Sequence, residues 1–249
     1  MRAFYSFSMK KISRSKIDLF LSCPCCFYLD QLCKVSRPSI PKFTINDAVD
    51  GLLKKEFDVY RNAGKPHPLM SQFAIDAVPF QHPDIEKWRK NKIGIQVSHE
   101  ATSFLVYGAI DDVWVDKTGT LYIVDYKATS IKDIPTLDGR DAYKRQIEVY
   151  QWLFRQNGFK VSNTGYFVYC NGKKNAESFN GRIDFDMQIL SYEGDVSWVE
   201  PTLFKIRSAM DAQEIPVSSE HCEYCAFREE GVAVLRERTQ SVFPVSLTT

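Results

Sequence analysis

The sequence lacks a surplus of either charge. Its 32 lysines and arginines face 31 aspartates and glutamates, which gives a formal net charge of +1. Any affinity for nucleic acid must therefore come from local patches. No apolar run approaches the roughly 20 residues that cross a bilayer. The basic N-terminus has neither the apolar segment nor the cleavage site of a secretory signal. We therefore expect no membrane association and a cytoplasmic location, with Met9 as an alternative start.

Histidine is scarce, and the number of cysteines is odd. The chain has four histidines, none in a paired ligand spacing, which argues against a histidine-ligated metallohydrolase. Seven cysteines in a chain without a signal argue against a disulfide framework. The sequence also contains no internal repeats or low-complexity segments. With 44% hydrophobic and 25% charged residues, it has the composition of an ordinary globular protein.

The middle of the chain predicts two antiparallel strands. Apolar-rich runs at 106–115 and 121–126 flank a short polar loop that contains Gly119, which is typical of a hairpin. Further strands are predicted at 95–105 and 165–170, with an edge strand at 182–189. Helices are predicted at 43–62, at 141–156, at 196–212 and from Ser13 or Ser15 onward.

Each strand of the hairpin carries a carboxylate where an apolar residue is expected. These are Asp111, beside Asp112, and Asp125; alternation along a strand puts Asp125 and Lys127 on one face. Two carboxylates brought together repel each other, and a divalent cation with oxygen ligands relieves that repulsion. A lysine beside such a cation orients a water and offsets charge on a phosphate. The competing interpretation is a surface hairpin that carries the tripeptide Asp125-Tyr126-Lys127 by chance.

The helix predicted at 141–156 adds two polar candidates. Gln146 and Tyr150 are four residues apart, so they share a helix face. Taken alone, Gln146 fits a solvated position and Tyr150 fits a core aromatic. Together with the upstream carboxylates, they favour a functional site.

These motifs resemble those of the PD-(D/E)xK nuclease superfamily. Residues 108–111 are similar to its GxxD motif and residues 125–127 to its (D/E)xK motif, and the Gln-x-x-x-Tyr pair resembles the RecB-like branch. The resemblance implies a restriction-endonuclease-like α/β fold, in which helices flank a mixed central sheet. It also implies a deoxyribonuclease that uses Mg²⁺ or Mn²⁺. Its implied catalytic residues are Asp111, Asp125, Lys127, Gln146 and Tyr150, with Asp111 and Asp125 as metal ligands.

The helix predicted at 43–62 carries a further candidate ligand. RecB-like members place a histidine in this helix, pointing at the metal, and this chain has Asp50 at the matching position. We expect Asp50 to be a third metal ligand, with Glu56 as the alternative acid. Lys54, Lys55 and Asp58 are expected to form a solvated face.

Two Cys-x-x-Cys pairs, Cys23/Cys26 and Cys222/Cys225, offer four thiolates, which suit either zinc or a 4Fe–4S cluster. The segment around Cys23 is similar to the Cys-Pro-x-x-Phe segment of RecB-like nucleases, including CRISPR-associated adaptation exonucleases with a cysteine-ligated cluster. The family has one cysteine followed by three, whereas this chain has two pairs. The resemblance thus favours iron–sulfur and the spacing favours zinc, and Cys25 is an alternative to Cys26.

We therefore expect one nuclease domain over 1–249, in which 13–33 and 216–230 form a cysteine-rich metal-binding subregion. The expected substrate is DNA, attacked at ends or single strands in repair, recombination or CRISPR-type defence. A helicase or another DNA-processing protein is the expected partner. A basic helix at 85–92, with Trp88 among lysines, is a weak candidate for DNA contact. The alternative function is a catalytically silent nucleic-acid-binding or scaffold protein that keeps the fold.

Overall fold

The structure is a computed structural model that describes residues 9–39, 41 and 43–242. The helices in this part of the chain are α1 (Arg14–Ser22), α2 (Pro24–Gln31), α3 (Thr44–Ala63), α4 (Pro68–Gln72), α5 (Ile85–Trp88), α6 (Asp141–Gln156), α7 (Val199–Asp211) and α8 (Glu223–Val242). The strands are β1 (Lys10–Ser13), β2 (Val78–Pro79), β3 (Ile95–His99), β4 (Phe104–Gly108), β5 (Asp112–Val115), β6 (Leu121–Thr129), β7 (Thr164–Gly172) and β8 (Phe185–Glu193).

The chain divides into two compact units. The first combines the described parts of 1–15 and 41–202, and the second combines those of 16–40 and 203–249. The first unit contains both sheets and helices α3 to α6. The second contains α2 and α8. No helix in the described part of the chain is long and apolar enough to cross a membrane.

A mixed five-stranded sheet forms the centre of the first unit. Its strand order is β2-β5-β6-β7-β8, with β6 and β7 parallel and the other neighbours antiparallel. Phe57 and Leu53 of α3 pack in one buried cluster with Val124, Tyr126 and Val168 of the sheet. Helix α6, which connects the two parallel strands, contacts β6. The prediction of a mixed sheet flanked by helices is confirmed.

The predicted strand at 106–115 is wrong, because the chain changes sheets within it. Strand β4 pairs with β1 and β3 in a separate three-stranded sheet, and β5 pairs with β6 in the larger sheet. The turn between them follows Gly108, whose carbonyl oxygen lies only 2.1 Å from where a Cβ on Gly94 would stand. Asp111 therefore lies in a crossing between two sheets and not within a strand.

Other predicted boundaries fail for local reasons. The predicted strand at 95–105 is interrupted by a 3₁₀ turn, Glu100–Thr102, after which Ser103 adopts a left-handed conformation with φ of 54°. The N-terminal helix is broken at Cys23, because Pro24 begins a new helix. Strand β8 begins later than predicted but is an edge strand, as expected. The helices predicted at 43–62, 141–156 and 196–212 correspond to α3, α6 and α7.

Candidate active site and cysteine centre

Strand β6 places an acid and a lysine on the sheet face that α6 covers. Asp125 is fully buried, and its carboxylate forms an ion pair with Lys127. Apart from that pair, neither carboxylate oxygen has a hydrogen-bond partner among the described residues. Burial raises the pKa of Asp125 to about 7, although the Lys127 ammonium acts in the opposite direction. A buried carboxylate with one oxygen, Oδ1, left without a partner fits a position for a cation.

Helix α6 holds the lysine from the other side. The Lys127 ammonium donates to Gln146 Oε1 at 3.3 Å and lies 4.5 Å above the Tyr143 ring. Gln146 in turn donates from Nε2 to the Tyr150 hydroxyl at 3.3 Å. The structure thus brings together four predicted residues, Asp125, Lys127, Gln146 and Tyr150. Sequence patterns did not predict a role for Tyr143, although its position three residues before Gln146 places it on the same helix face.

Tyr150 also connects this helix to the GxxD segment. Its ring is buried, and burial raises the pKa of its hydroxyl to about 12. A Cβ on Gly108 would lie 2.5 Å from Tyr150 Cε1, so only glycine leaves room for the ring. The glycine of one motif and the tyrosine of another are therefore parts of one packing contact.

Asp111 lies beside the same part of β6. Its Oδ2 accepts the backbone N–H of Tyr126 at 2.9 Å, and its Oδ1 accepts from the Lys54 ammonium at 3.2 Å. The same ammonium donates to Asp50 Oδ2 at 2.7 Å. Desolvation lowers the pKa of Lys54, but the two carboxylates outweigh it and raise the pKa overall. We call Asp50, Lys54, Asp111, Asp125 and Lys127 the acid site.

A cavity of about 490 Å³ opens onto the acid site. Its wall includes Asp50, Lys54, Asp111, Lys127 and Tyr143. Burial and the neighbouring Asp111 carboxylate both raise the pKa of Asp50. Carboxylate oxygens around a cavity are the ligands that Mg²⁺ and Mn²⁺ prefer, so these residues fit a divalent ion.

Lys54 and Asp58 do not form the expected solvated face. Lys54 is mostly buried and joins two acids, and Asp58 forms ion pairs with Arg61 at 2.9 Å and Arg89 at 2.8 Å. Glu56, the alternative acid, is exposed and pairs with His67 at 2.8 Å.

Two further features differ from the roles that their sequence positions suggest. Asp112, next to Asp111, is completely buried, and it pairs with Arg61 and accepts from the Tyr126 hydroxyl at 2.8 Å. It is thus part of the core.

Trp88 is buried and stacks on His82 at 4.4 Å. The idea that Trp88 contacts DNA is therefore wrong, because its ring is not available for stacking on a base.

The second unit contains the predicted cysteine cluster. The four thiols of Cys23, Cys26, Cys222 and Cys225 lie within 4.8 Å of one another and are buried. Individual Sγ–Sγ distances include 3.5 Å from Cys26 to Cys225 and 3.7 Å from Cys23 to Cys225. The expectation that the two pairs meet is confirmed. We call these four residues the cysteine centre; it could hold a metal ion.

The surroundings of the cysteine centre favour the thiolate form at Cys23, whereas burial raises the pKa of the Cys26 and Cys225 thiols. The backbone N–H of Ser219 donates to Cys23 Sγ at 3.4 Å, and Arg37 donates to Cys222 Sγ at 3.4 Å. Desolvation raises the pKa of Cys23, but backbone N–H groups of Cys26 and Ser219 outweigh it and lower the pKa to about 6. Cys25, the alternative ligand, is not in the group, and its thiol lies 3.7 Å from Arg228.

Comparison with known proteins identifies the family. The model of the PD-(D/E)XK nuclease superfamily matches residues 47–229, which include every residue of the acid site. The chain belongs to the PD-(D/E)XK nuclease superfamily. Membership of this nuclease superfamily indicates a nuclease that uses a divalent metal, and its fold suggests DNA as the substrate. The matched residues include Cys222 and Cys225 and begin after Cys23 and Cys26.

No curated protein sequence matches this nuclease. Among solved structures, one titled "Crystal structure of SSO0001" is similar, with 14% sequence identity over 88% of this chain and 84% of that chain and a TM-score of 0.46. A likeness at this level carries no argument about function.

Proposed function

We propose that this protein is an Mg²⁺- or Mn²⁺-dependent deoxyribonuclease of the RecB-like branch. It hydrolyses phosphodiester bonds and acts like an exonuclease on DNA ends or single strands. The observation that carries the proposal is the buried Asp125–Lys127 pair on β6, which α6 contacts through Gln146. A protein without catalytic activity has no physical reason to keep a fully buried carboxylate whose Oδ1 has no partner among the described residues.

The metal ligands in this proposal are Asp111, Asp125 and the Tyr126 carbonyl, with Asp50 as a further acid. When bound, the divalent ion supplies a Lewis acid for the phosphodiester and lowers the pKa of an attacking water. These ligands come from three different elements: α3, the crossing before β5 and the middle of β6. The fold therefore has to be complete before the ligand set exists.

Lys127 is the residue that orients the water and offsets negative charge on the phosphate. Its ammonium is fixed by the Asp125 carboxylate, the Gln146 amide and the Tyr143 ring, so little rearrangement is needed during the reaction. Tyr150 fixes Gln146 through its hydroxyl. Gln146 and Tyr150 thus support the lysine, and of the two it is the partly exposed Gln146 that is available to contact the substrate strand.

The cysteine centre holds a 4Fe–4S cluster or Zn²⁺ in this proposal. The whole chain works as one nuclease domain, with 13–33 and 216–230 as its metal-binding subregion. The seven cysteines are free thiols, which suits a reducing compartment such as the cytoplasm. The biological setting that we propose is DNA repair, recombination or CRISPR-type defence, together with a helicase or another DNA-processing protein.

The direct test is cleavage of end-labelled single- and double-stranded DNA in Mg²⁺, in Mn²⁺ and in EDTA. Wild type is compared with Lys127→Met and with Lys117→Met, which removes an exposed lysine that pairs with Asp76. We expect metal-dependent cleavage that Lys127→Met loses and Lys117→Met keeps, and a product ladder that starts at the labelled ends. Folded, metal-loaded wild type that leaves DNA intact would favour the silent binding protein instead.

A further inference from the structure

One ammonium in the acid site occupies a position between two metal-ligand candidates. The Lys54 ammonium lies 2.7 Å from Asp50 Oδ2 and 3.2 Å from Asp111 Oδ1. The Lys54 side chain is only 20% exposed, although it belongs to the polar face of α3. Asp50 is four residues earlier on the same helix, whereas Asp111 comes from the crossing that precedes β5. Lys54 therefore ties helix α3 to the GxxD segment.

The charge balance of the acid site depends on this residue. Three carboxylates, Asp50, Asp111 and Asp125, face two ammonium groups, Lys54 and Lys127. Lys127 is engaged by Asp125, Gln146 and the Tyr143 ring. Asp50 and Asp111 thus share the remaining ammonium.

The nearby guanidinium does not replace it. Arg89 lines the same cavity, but its guanidinium pairs with Asp58 at 2.8 Å and Glu86 at 2.9 Å, and its Nε donates to the backbone carbonyl of Asp111 at 3.1 Å rather than to the carboxylate. Among the described residues, the Asp111 carboxylate accepts one other hydrogen bond, from the Tyr126 backbone N–H. Without Lys54, the Asp111 carboxylate would keep that neutral donor and lose its cationic partner.

We propose that Lys54 is a positioning residue that acts as a tethered cation. It holds Asp50 and Asp111 in place in the metal-free protein and competes with the divalent ion for their oxygens. This inference rests on the proposed function, because it takes Asp111 as a metal ligand. An ion bound by the same carboxylates would be repelled by the Lys54 ammonium, so this ammonium weakens binding of the ion. The nuclease thereby keeps an ordered acid site before metal binds, and it binds the metal more weakly in exchange.

The test is the affinity for Mn²⁺, measured by the loss of the free-ion electron paramagnetic resonance signal. Lys54→Met removes the ammonium and keeps an unbranched apolar side chain. Lys54→Arg keeps the charge, and Lys55→Met makes the same change at an exposed neighbour on α3. Asp111→Asn removes one carboxylate of the acid site, so the Mn²⁺ binding that this variant loses belongs to the acid site.

We expect Lys54→Met to bind Mn²⁺ about tenfold more tightly than wild type, because a like charge beside the ion has been removed. Lys54→Arg and Lys55→Met are expected to stay near the wild-type affinity. Thermal unfolding gives a second readout without catalysis. In EDTA, Lys54→Met should unfold at a lower temperature than Lys55→Met, and Mn²⁺ should raise its unfolding temperature by more than that of wild type.

Two results overturn the inference, and they are distinguishable. If wild type binds Mn²⁺ and cleaves DNA, but Lys54→Met has the affinity of Lys55→Met or a weaker one, then Lys54 does not compete with the ion and the nuclease assignment stands. If folded wild type neither binds Mn²⁺ at a site that depends on Asp111 nor cleaves DNA, both proposals fail together.

Discussion

The acid site and the cysteine centre differ in how their negative charge is balanced when no metal is present. The acid site contains its own cations, because Lys54 and Lys127 pair with its carboxylates. The cysteine centre brings four buried sulfurs together, and Arg37 donates to one of them, Cys222 Sγ. The acid site thus balances its charge with its own side chains, whereas a metal bound at the cysteine centre would hold its four sulfurs together.

The two sites also differ in how much apolar packing surrounds them. The acid site lies beside a sheet whose core includes Phe57, Trp114 and Val168, each completely buried. In the second unit, one buried cluster consists of cysteines alone, with Leu19 and Leu29 packed against it. We therefore propose that a metal bound at the cysteine centre contributes to folding, whereas a metal bound at the acid site contributes to chemistry.

Removal of one thiol is expected to have the largest effect. Cys225→Ser should lose the metal of the cysteine centre and destabilise the protein strongly, since structural metal sites can contribute on the order of 10 kcal/mol to folding. Metal content by elemental analysis and thermal unfolding measure the two consequences. Cys33→Ser, at an exposed free cysteine, is the matched control and should behave as wild type. A Cys225→Ser protein with unchanged metal content and unfolding temperature would remove the contrast between the two sites.

A methyl group in the GxxD segment should have the next largest effect. Gly108→Ala places a Cβ against the buried Tyr150 ring and should lower the free energy of unfolding by about 1–3 kcal/mol, as overpacking does. Gly51→Ala is the control. A Cβ at this position in α3 meets nothing within 4 Å, and the substitution replaces a helical glycine by a residue that favours helices. Chemical denaturation compares the two variants.

A coupled substitution sharpens this prediction. Gly108→Ala combined with Tyr150→Leu should cost less than the sum of the two single changes, because the smaller side chain relieves the overlap. Strict additivity in the double-mutant cycle would show that the glycine is not required by the tyrosine.

The smallest expected effect concerns the aromatic face beside the lysine. Tyr143→Leu removes the ring under the Lys127 ammonium, a contact of about 0.5–2 kcal/mol, and should slow DNA cleavage about 3- to 30-fold with stability nearly unchanged. Tyr143→Phe keeps the ring face and should restore most of the rate. Equal rates for Tyr143→Leu and Tyr143→Phe would mean that the ring does not position the lysine.

Much of the acid site could be predicted because its motifs are local in sequence. Alternation along β6 placed Asp125 and Lys127 together, and helical spacing placed Gln146 beside Tyr150. The choice between Asp111 and Asp112 could not be made from spacing alone, since both are acids and only the fold buries one of them against Arg61. The resemblance to the GxxD motif is what identified Asp111, and not Asp112, as the candidate metal ligand.

The features that the sequence did not reveal depend on contacts between distant segments. Lys54 looks like a solvated helix residue until the crossing brings Asp111 beside it. The break in the predicted strand at 106–115 follows from pairing with two different sheets, which apolar content cannot report. Helix α8 was not predicted, because its apolar residues are largely exposed and lack a strong stripe; Phe227 and Leu235 are 81% and 67% exposed.

The measurement that tests the central claim most directly is single-turnover DNA cleavage by wild type and Asp125→Asn in Mn²⁺. Asparagine keeps the shape of the buried side chain and removes the charge that pairs with Lys127 and that is proposed to bind the ion. We predict that Asp125→Asn remains folded and keeps the metal content of the cysteine centre, but cleaves DNA at least about 10²- to 10³-fold more slowly than wild type. An Asp125→Asn protein that cleaves DNA at the wild-type rate would contradict the account, because the chemistry would then lie outside the acid site.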